Sequence, residues 1–176
     1  MTSDTPSQTK NLNNLLKNKV AFVMGAGSGI GRDGAMATAS QGAHVVVTDL
    51  FAVKAHEVAK PIKSQGYLSS SHGRDVMNDK AFDVLFKDTV DKFGKLDILH
   101  SHAGYQIEGD LEQVSIEGMD LSWKINVRSH FIASRAVVGY MRKHGGGSII
   151  ITASNSGVKF DKKMIAMKQV STQWSL

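Results

Sequence analysis

Short apolar runs alternate along the chain with longer segments in which apolar residues recur at helical spacing. We predict strands over 19–24, 44–48, 96–99 and 148–152, and helices over 29–41, 52–64, 79–93 and 121–144. Strands that alternate with helices indicate right-handed βαβ crossovers. The pattern therefore predicts an α/β fold, built as one domain around a doubly wound parallel sheet.

The stretch before Asp75 departs from this regular pattern. The topology requires a third strand there, but residues 68–74 are mostly serine, histidine and glycine, whose low strand propensity argues against one. Upstream of it, Pro61 is predicted to end or bend the second helix, because proline lacks the amide hydrogen that the helix ladder needs.

A glycine-rich turn joins the first predicted strand to the first predicted helix. It contains Gly25, Ser28, Gly29, Ile30 and Gly31. Glycine supplies the backbone freedom of a tight turn, and a missing Cβ lets the backbone approach a pyrophosphate. The helix N-terminus then presents free N–H groups to the phosphates. Glycines also occur in strand–helix turns that bind nothing, so this turn alone leaves both interpretations open.

An acidic residue strengthens the ligand-binding interpretation. Asp49 ends the next predicted strand and is followed by Leu50. A carboxylate at this point can accept hydrogen bonds from the ribose hydroxyls of a dinucleotide, and it repels a 2′-phosphate. Together the turn and Asp49 predict a Rossmann-like dinucleotide site that prefers NAD to NADP. The turn is not a phosphate-binding P-loop, because Gly31 is followed by Arg32 and Asp33 rather than by lysine and serine or threonine.

Composition narrows the remaining classes of function. The chain has 176 residues, no cysteine and a formal charge of +5, with its basic residues spread along the sequence. We therefore expect no disulfide, no zinc–thiolate or other metal site, and no nucleic-acid partner. Residues 1–17 are predicted to be a flexible polar extension without a secretory signal, and no apolar run is long enough to span a bilayer. We expect a cytoplasmic protein that does not bind membranes.

The ordered series of motifs resembles the short-chain dehydrogenase/reductase family over residues 18–165. The matching residues are Gly25, Gly29 and Gly31 in the turn, then Asp75-Val76, Ala103-Gly104, Asn126-Val127, and the strand segment 147–157. The resemblance implies a cofactor site in which Asp75 and Val76 flank the adenine and Ala103 and Gly104 also contribute. It further implies hydride transfer between NAD(H) and a small-molecule secondary alcohol or ketone. Members of the family are homo-oligomers, and we expect their interface to be impaired in this chain.

The resemblance also assigns catalytic roles. In the family a serine binds the substrate oxygen, a helix asparagine holds a water in a proton relay, and a tyrosine–lysine pair transfers the proton. Ser154 and Asn126 match the serine and the asparagine. Without the resemblance, Ser154 would be interpreted as a strand-end serine that caps a turn, and Asn126 as a helix asparagine that faces solvent. His102 replaces a family asparagine, and a structural role for it is favoured over an acid–base role.

The family's tyrosine has no counterpart in this sequence. All three tyrosines precede Ser154, and the two possible alignments put Met167 or Met164 in the tyrosine position. A thioether cannot transfer the proton. Residues 166–176 show no family pattern, so we expect a chain truncated after the serine-bearing strand, with catalysis lost. A non-catalytic NAD-binding module and a non-functional truncated product remain as alternatives.

Overall fold

The computed structural model describes residues 14–154, which form a five-stranded parallel sheet with helices on both faces. In chain order the elements are β1 (Val20–Met24), α1 (Gly29–Ser40), β2 (His44–Asp49), α2 (Ala52–Ser64), β3 (Ser69–Gly73), α3 (Asp79–Phe93), β4 (Ile98–Ser101), α4 (Ile116–Trp123), a π-helical turn (Lys124–Arg128), α5 (Ser129–Lys143) and β5 (Ser148–Ile151). The strand order is β3-β2-β1-β4-β5. The predicted doubly wound, Rossmann-like α/β fold is confirmed.

The central strand β1 supplies side chains to two separate hydrophobic layers. Phe22 faces α3 and α5, where its ring centroid lies 4.5 Å from that of Phe86. Ala21 and Val23 face the opposite layer, which α1 covers with small residues such as Ala35 and α2 covers with larger ones such as Ile62. This alternation follows from the two-residue period of a strand. Because the α1 side is built from alanines, this helix can lie close to the sheet.

The third strand forms despite its polar sequence, so the expectation from local propensity was wrong. β3 lies at one end of the described sheet and pairs only with β2, with Val45 opposite Ser69. Ser69 is buried, and its hydroxyl donates to the Ala59 carbonyl of α2 at 2.9 Å. Backbone pairing and a satisfied hydroxyl replace the apolar packing that an interior strand would need. Pro61 lies inside α2, which continues to Ser64.

The long helix predicted over 121–144 begins earlier and is not α-helical throughout. It starts at Ile116, where the Ser115 hydroxyl caps it by accepting a hydrogen bond from the Gly118 amide at 3.0 Å. The π-helical turn then separates α4 from α5. Single π-turns inside α-helices frequently occur at functional sites. Arg128 at the end of this turn forms a bidentate ion pair with Asp79, which ties the turn to α3.

The last two strands, β4 and β5, complete the described sheet on the other side of β1. β4 occupies 98–101 rather than the predicted 96–99, because Asp97 just before it binds the Val20 amide at 2.8 Å and the Lys19 ammonium at 3.1 Å. β5 ends the described sheet on this side, and Ile150 is 50% exposed.

Among residues 14–154, no helix has the length and apolar character that crossing a membrane requires.

Candidate functional site

A cavity of about 500 Å³ opens at the carboxyl ends of the central strands. Such crevices are where parallel α/β sheets bind ligands. Every residue predicted to bind the cofactor lines this cavity except Gly31, which is buried in the first turn of α1. The lining residues predicted from sequence are Gly25, Ser28, Gly29, Ile30, Asp49, Leu50, Asp75, Val76, Ala103 and Gly104.

The three family-pattern glycines of the turn serve different steric purposes. Gly25 has φ +69°, and a Cβ there would lie 2.7 Å from the Cα of Ala103. Gly31 lets α1 pack closely, since a Cβ would lie 2.2 Å from the carbonyl oxygen of Gly25. Gly29 has φ +53° and faces open space, since a Cβ at this position would meet no atom within 4 Å. Two glycines therefore close the turn, and the third leaves room beside the helix terminus.

The N-terminus of α1 is available to an anion. Ser28 occupies the N-cap position with extended backbone, yet its side chain makes no capping hydrogen bond. The first amides of a helix have no partner within the helix and carry a partial positive charge. Open space at Gly29 and uncapped amides together fit a bound diphosphate.

The Asp49 carboxylate is held in place by two backbone amides. Its Oδ2 accepts from Gly27 at 3.0 Å, and its Oδ1 accepts from Phe51 at 3.1 Å. A Cβ on Gly27 would lie 2.6 Å from the Asp49 Cγ, so only glycine fits there. Gly27 was not singled out from the sequence, although its place inside the glycine run was a usable signal. Each carboxylate oxygen keeps a further lone pair for a ligand hydroxyl.

Residues after β3 form the opposite wall of the cavity. The Asp75 carboxylate accepts a hydrogen bond from the Met77 amide, two residues later, at 2.8 Å, and Val76 packs against the hydrophobic core. Arg74 also lines the cavity and was not anticipated. Its Nη1 donates to the Gly73 carbonyl at 2.7 Å, whereas its buried Nε has no hydrogen-bond partner among the described residues. The wall therefore combines an acidic residue with a guanidinium group.

Asn126 does not face solvent as an unpartnered helix residue. Its Oδ1 accepts from the Tyr105 amide at 2.9 Å, and its Nδ2 donates to the Tyr105 carbonyl at 2.8 Å and to Ser122. The side chain thus fastens the loop after β4 to the π-helical turn. Ser154, the last described residue, lies three positions beyond the end of β5 and is half-buried. The sequence positions considered for the tyrosine–lysine pair, 164, 167, 168 and 171, lie outside the described residues.

Three histidines cluster at the carboxyl end of β4. The rings of His100 and His102 lie 5.5 Å apart, and both contact the Thr152 hydroxyl. His130 of α5 is buried and shares a 2.6 Å hydrogen bond with the Ser101 hydroxyl. Burial lowers the pKa of His100 and His102, and burial followed by the charge of His102 lowers the pKa of His130 to about 4. The described part of the chain contains no group of three or more histidine or acidic side chains placed to hold a metal ion.

The parallel sheet, the glycine turn and the crevice at the strand ends define the class of Rossmann-like α/β proteins. Within that class, the short chain dehydrogenase family matches residues 19–166. The chain belongs to this family, whose members are oxidoreductases that typically bind a nucleotide cofactor.

Curated relatives and solved structures agree with this assignment. The chain is 38% identical over 140 residues to an uncharacterized oxidoreductase of Thermotoga maritima, a match that covers 80% of this chain and 55% of that protein. It is 39% identical over 145 residues to versicolorin reductase 1 of Aspergillus parasiticus, covering 82% and 55%. The matches thus span little more than half the length of these relatives.

The fold is shared with solved dehydrogenases. A 7α-hydroxysteroid dehydrogenase complexed with NADH and 7-oxo glycochenodeoxycholic acid superposes with a TM-score of 0.87 at 29% identity, covering 93% of this chain and 63% of that one. A short chain dehydrogenase from Mycobacterium smegmatis gives a TM-score of 0.87 at 29% identity, covering 91% and 68%.

Proposed function

We propose that the chain binds NAD(H) in the cavity at the ends of β1, β2 and β4. The amides at the start of α1 bind the diphosphate, Asp49 binds the adenosine ribose, and Asp75 and Val76 flank the adenine. Ala103 and Gly104 complete the wall beneath the nicotinamide half. The residues present fit such a group, since the turn leaves open space at Gly29 beside uncapped amides.

We assign the preference for NAD over NADP to Asp49. Its carboxylate is oriented by two amides before any ligand arrives, so ribose hydroxyls meet a prepared acceptor. A 2′-phosphate would instead meet a like charge across the same short distance. Arg74 lines the same cavity and donates to the carbonyl of Gly73 through Nη1. The NADH in the related 7α-hydroxysteroid dehydrogenase structure is a precedent for this choice.

The associated reaction is hydride transfer between NAD(H) and a secondary alcohol or ketone. NAD(H) would supply the hydride donor or acceptor when bound. Ser154 would donate a hydrogen bond to the substrate oxygen, and Asn126 would position the loop at Tyr105 beside it. Proton exchange at that oxygen needs a group whose pKa lies near neutrality. Methionine at both possible tyrosine positions cannot fill that role, so we propose that this chain has lost turnover.

A chain without cysteine is compatible with a reducing compartment, and we propose the cytoplasm. We propose a small-molecule substrate and, by resemblance to the family, a homo-oligomer.

Isothermal titration of the purified chain with NADH, together with a thermal melt, tests the proposal. We expect saturable binding, a cooperative melt that NADH shifts upward, and no alcohol-dependent reduction of NAD above background. Binding without turnover separates the NAD-binding chain from an active dehydrogenase. A cooperative melt without NADH binding would refute the cofactor assignment, whereas the absence of a cooperative melt would favour the alternative that the chain does not fold stably.

A further inference from the structure

Two of the clustered histidines share one hydroxyl group. Thr152 Oγ1 lies 2.9 Å from His102 Nδ1 and 3.2 Å from His100 Nε2. The Thr152 amide also donates to the Ser101 carbonyl at 3.1 Å, which fixes the threonine relative to β4. A hydroxyl has one proton, so it can donate to only one ring and must accept from the other. Both rings are therefore held in defined orientations.

Helix α1 covers both rings through positions without side chains. A Cβ on Gly31 would lie 2.8 Å from Cδ2 of His102, and a Cβ on Gly34 would lie 3.3 Å from Cε1 of His100. Gly34 is otherwise unfavourable within a helix, by about 1 kcal/mol relative to alanine. The contact with the His100 ring would be tight for a larger residue at position 34. The histidine pair and the glycines of α1 thus form one packed unit.

His102 also lines the cavity in which the cofactor is proposed to bind. Its Nδ1 is occupied by Thr152, and its Cδ2 packs beside the glycine turn. The remaining ring nitrogen, Nε2, is bonded to Cδ2 and so lies on the same side of the ring as the turn. No hydrogen bond joins Nε2 to another residue of the range 14–154. This nitrogen is available to a ligand that binds at the start of α1.

We propose that His102 is a further cofactor-binding residue, whose Nε2–H donates a hydrogen bond to the dinucleotide diphosphate, with Thr152 as the positioning residue that orients the ring. The inference rests on the proposed function and adds a residue to the same site. The family asparagine that His102 replaces could not change its charge. Because histidine can, this chain should bind the dinucleotide more tightly at lower pH.

The charged groups around His102 are few. His100 lies beside it on β4, and Thr152 beyond β5 is uncharged. His130 of α5 contacts Ser101, whose side chain points to the other face of the sheet. On α1, Arg32 and Asp33 pair with each other in solvent at 3.0 Å. Across the cavity lie Arg74, Asp49 and Asp75. Burial lowers the pKa of His102 in the free chain and so favours the neutral ring. A diphosphate would raise that pKa, so binding takes up protons.

Titration calorimetry of the full chain with adenosine diphosphate ribose measures this linkage directly. If the ligand raises the pKa of His102 by one unit, affinity should increase by about tenfold in total as the pH falls from above the bound-state pKa to below the free-state pKa, and part of this increase should appear between pH 8 and pH 6. Titrations in two buffers of different ionisation enthalpy should show net proton uptake by the wild-type chain. Adenosine, which lacks the diphosphate, should show neither effect.

The matched variants are His102→Asn and His44→Asn. His44 is also a half-buried strand histidine whose ring nitrogen contacts a hydroxyl, that of Ser70, but it does not line the cavity. We expect His102→Asn to abolish the pH dependence and His44→Asn to retain it. His102→Gln serves as a second test if the asparagine variant does not fold.

Wild-type binding without proton uptake would overturn the role of His102. So would an unchanged pH dependence in His102→Asn, or one that disappears only in His100→Asn. If the wild-type chain binds neither NADH nor adenosine diphosphate ribose, the proposed function itself fails.

Discussion

Replacing Asp49 by alanine tests the cofactor preference through a carboxylate that the structure holds in a fixed position. The variant removes the acceptor for the ribose hydroxyls and frees the amides of Gly27 and Phe51, which donate to it at 3.0 and 3.1 Å. A hydrogen bond to a charged group contributes about 1.5–3 kcal/mol. Asp49 is only half-buried, so water can reach the freed amides, and the lower part of this range applies.

A loss of about 2 kcal/mol corresponds to a roughly 30-fold weaker Kd for NADH. NADPH should bind to Asp49→Ala more tightly than it binds to the wild-type chain, because the like charge opposite its 2′-phosphate is gone. The assay is calorimetric titration of both nucleotides at constant ionic strength, with a thermal melt of each variant. Asp33→Ala is the matched control, because Asp33 is an exposed residue of α1 paired with Arg32. An unchanged ratio of the NADH and NADPH affinities in Asp49→Ala would refute the reasoning.

Three further predictions concern packing and pH. Gly31→Ala should destabilise the chain by about 1–3 kcal/mol and weaken NADH binding, because its Cβ would lie 2.2 Å from the Gly25 carbonyl oxygen; a wild-type urea midpoint would contradict this. Phe86→Ala should cost about 3–5 kcal/mol in urea unfolding, since the ring is fully buried against Phe22, and a cost below about 1 kcal/mol would be inconsistent with that packing. Burial lowers the pKa of His130 to about 4, below its unfolded value of 6.5, so its contribution to stability is complete above pH 6.5 and declines as the pH falls toward 4. Urea melts at pH 7 and pH 5 should show this decline in the free energy of unfolding, and His130→Gln should show a smaller one. An equal decline in the wild-type chain and in His130→Gln would mean that His130 is not its source.

The regular elements of the fold were predictable because their local patterns agree with their positions in the sheet. The predicted bounds of α2 and α3 match the structure, and β1 and β2 differ from it by single residues. The polar strand β3 was not predictable from propensity, because its pairing with β2 and the carbonyl of Ala59 come from distant residues. The same holds for β4, whose start depends on contacts between Asp97 and β1.

The parts of the candidate site that consist of neighbouring residues in the sequence could be predicted. The glycine turn and Asp49 each indicate their chemistry locally, and both line one cavity. The contacts of Asn126 with Tyr105 were not foreseeable, because they join the π-helical turn to the loop after β4 across 21 residues of sequence. No signal in the sequence indicated that Arg74 lines the cavity. The shared hydroxyl between His100 and His102 likewise needs β4 and β5 to be paired first.

The position of β1 in the sheet has a consequence for how the chain assembles. β1, β2 and β3 are adjacent in both sequence and space, so this half closes only short crossovers. The other edge of β1 pairs with β4, which follows much later in the chain. The hydrogen bond between Val20 and Asp97 at this edge joins residues that are 77 positions apart. Closing that longer loop costs more chain entropy and slows folding. During synthesis, β1 would therefore emerge with one edge unpaired until β4 has left the ribosome, and this edge is where misassembly would start.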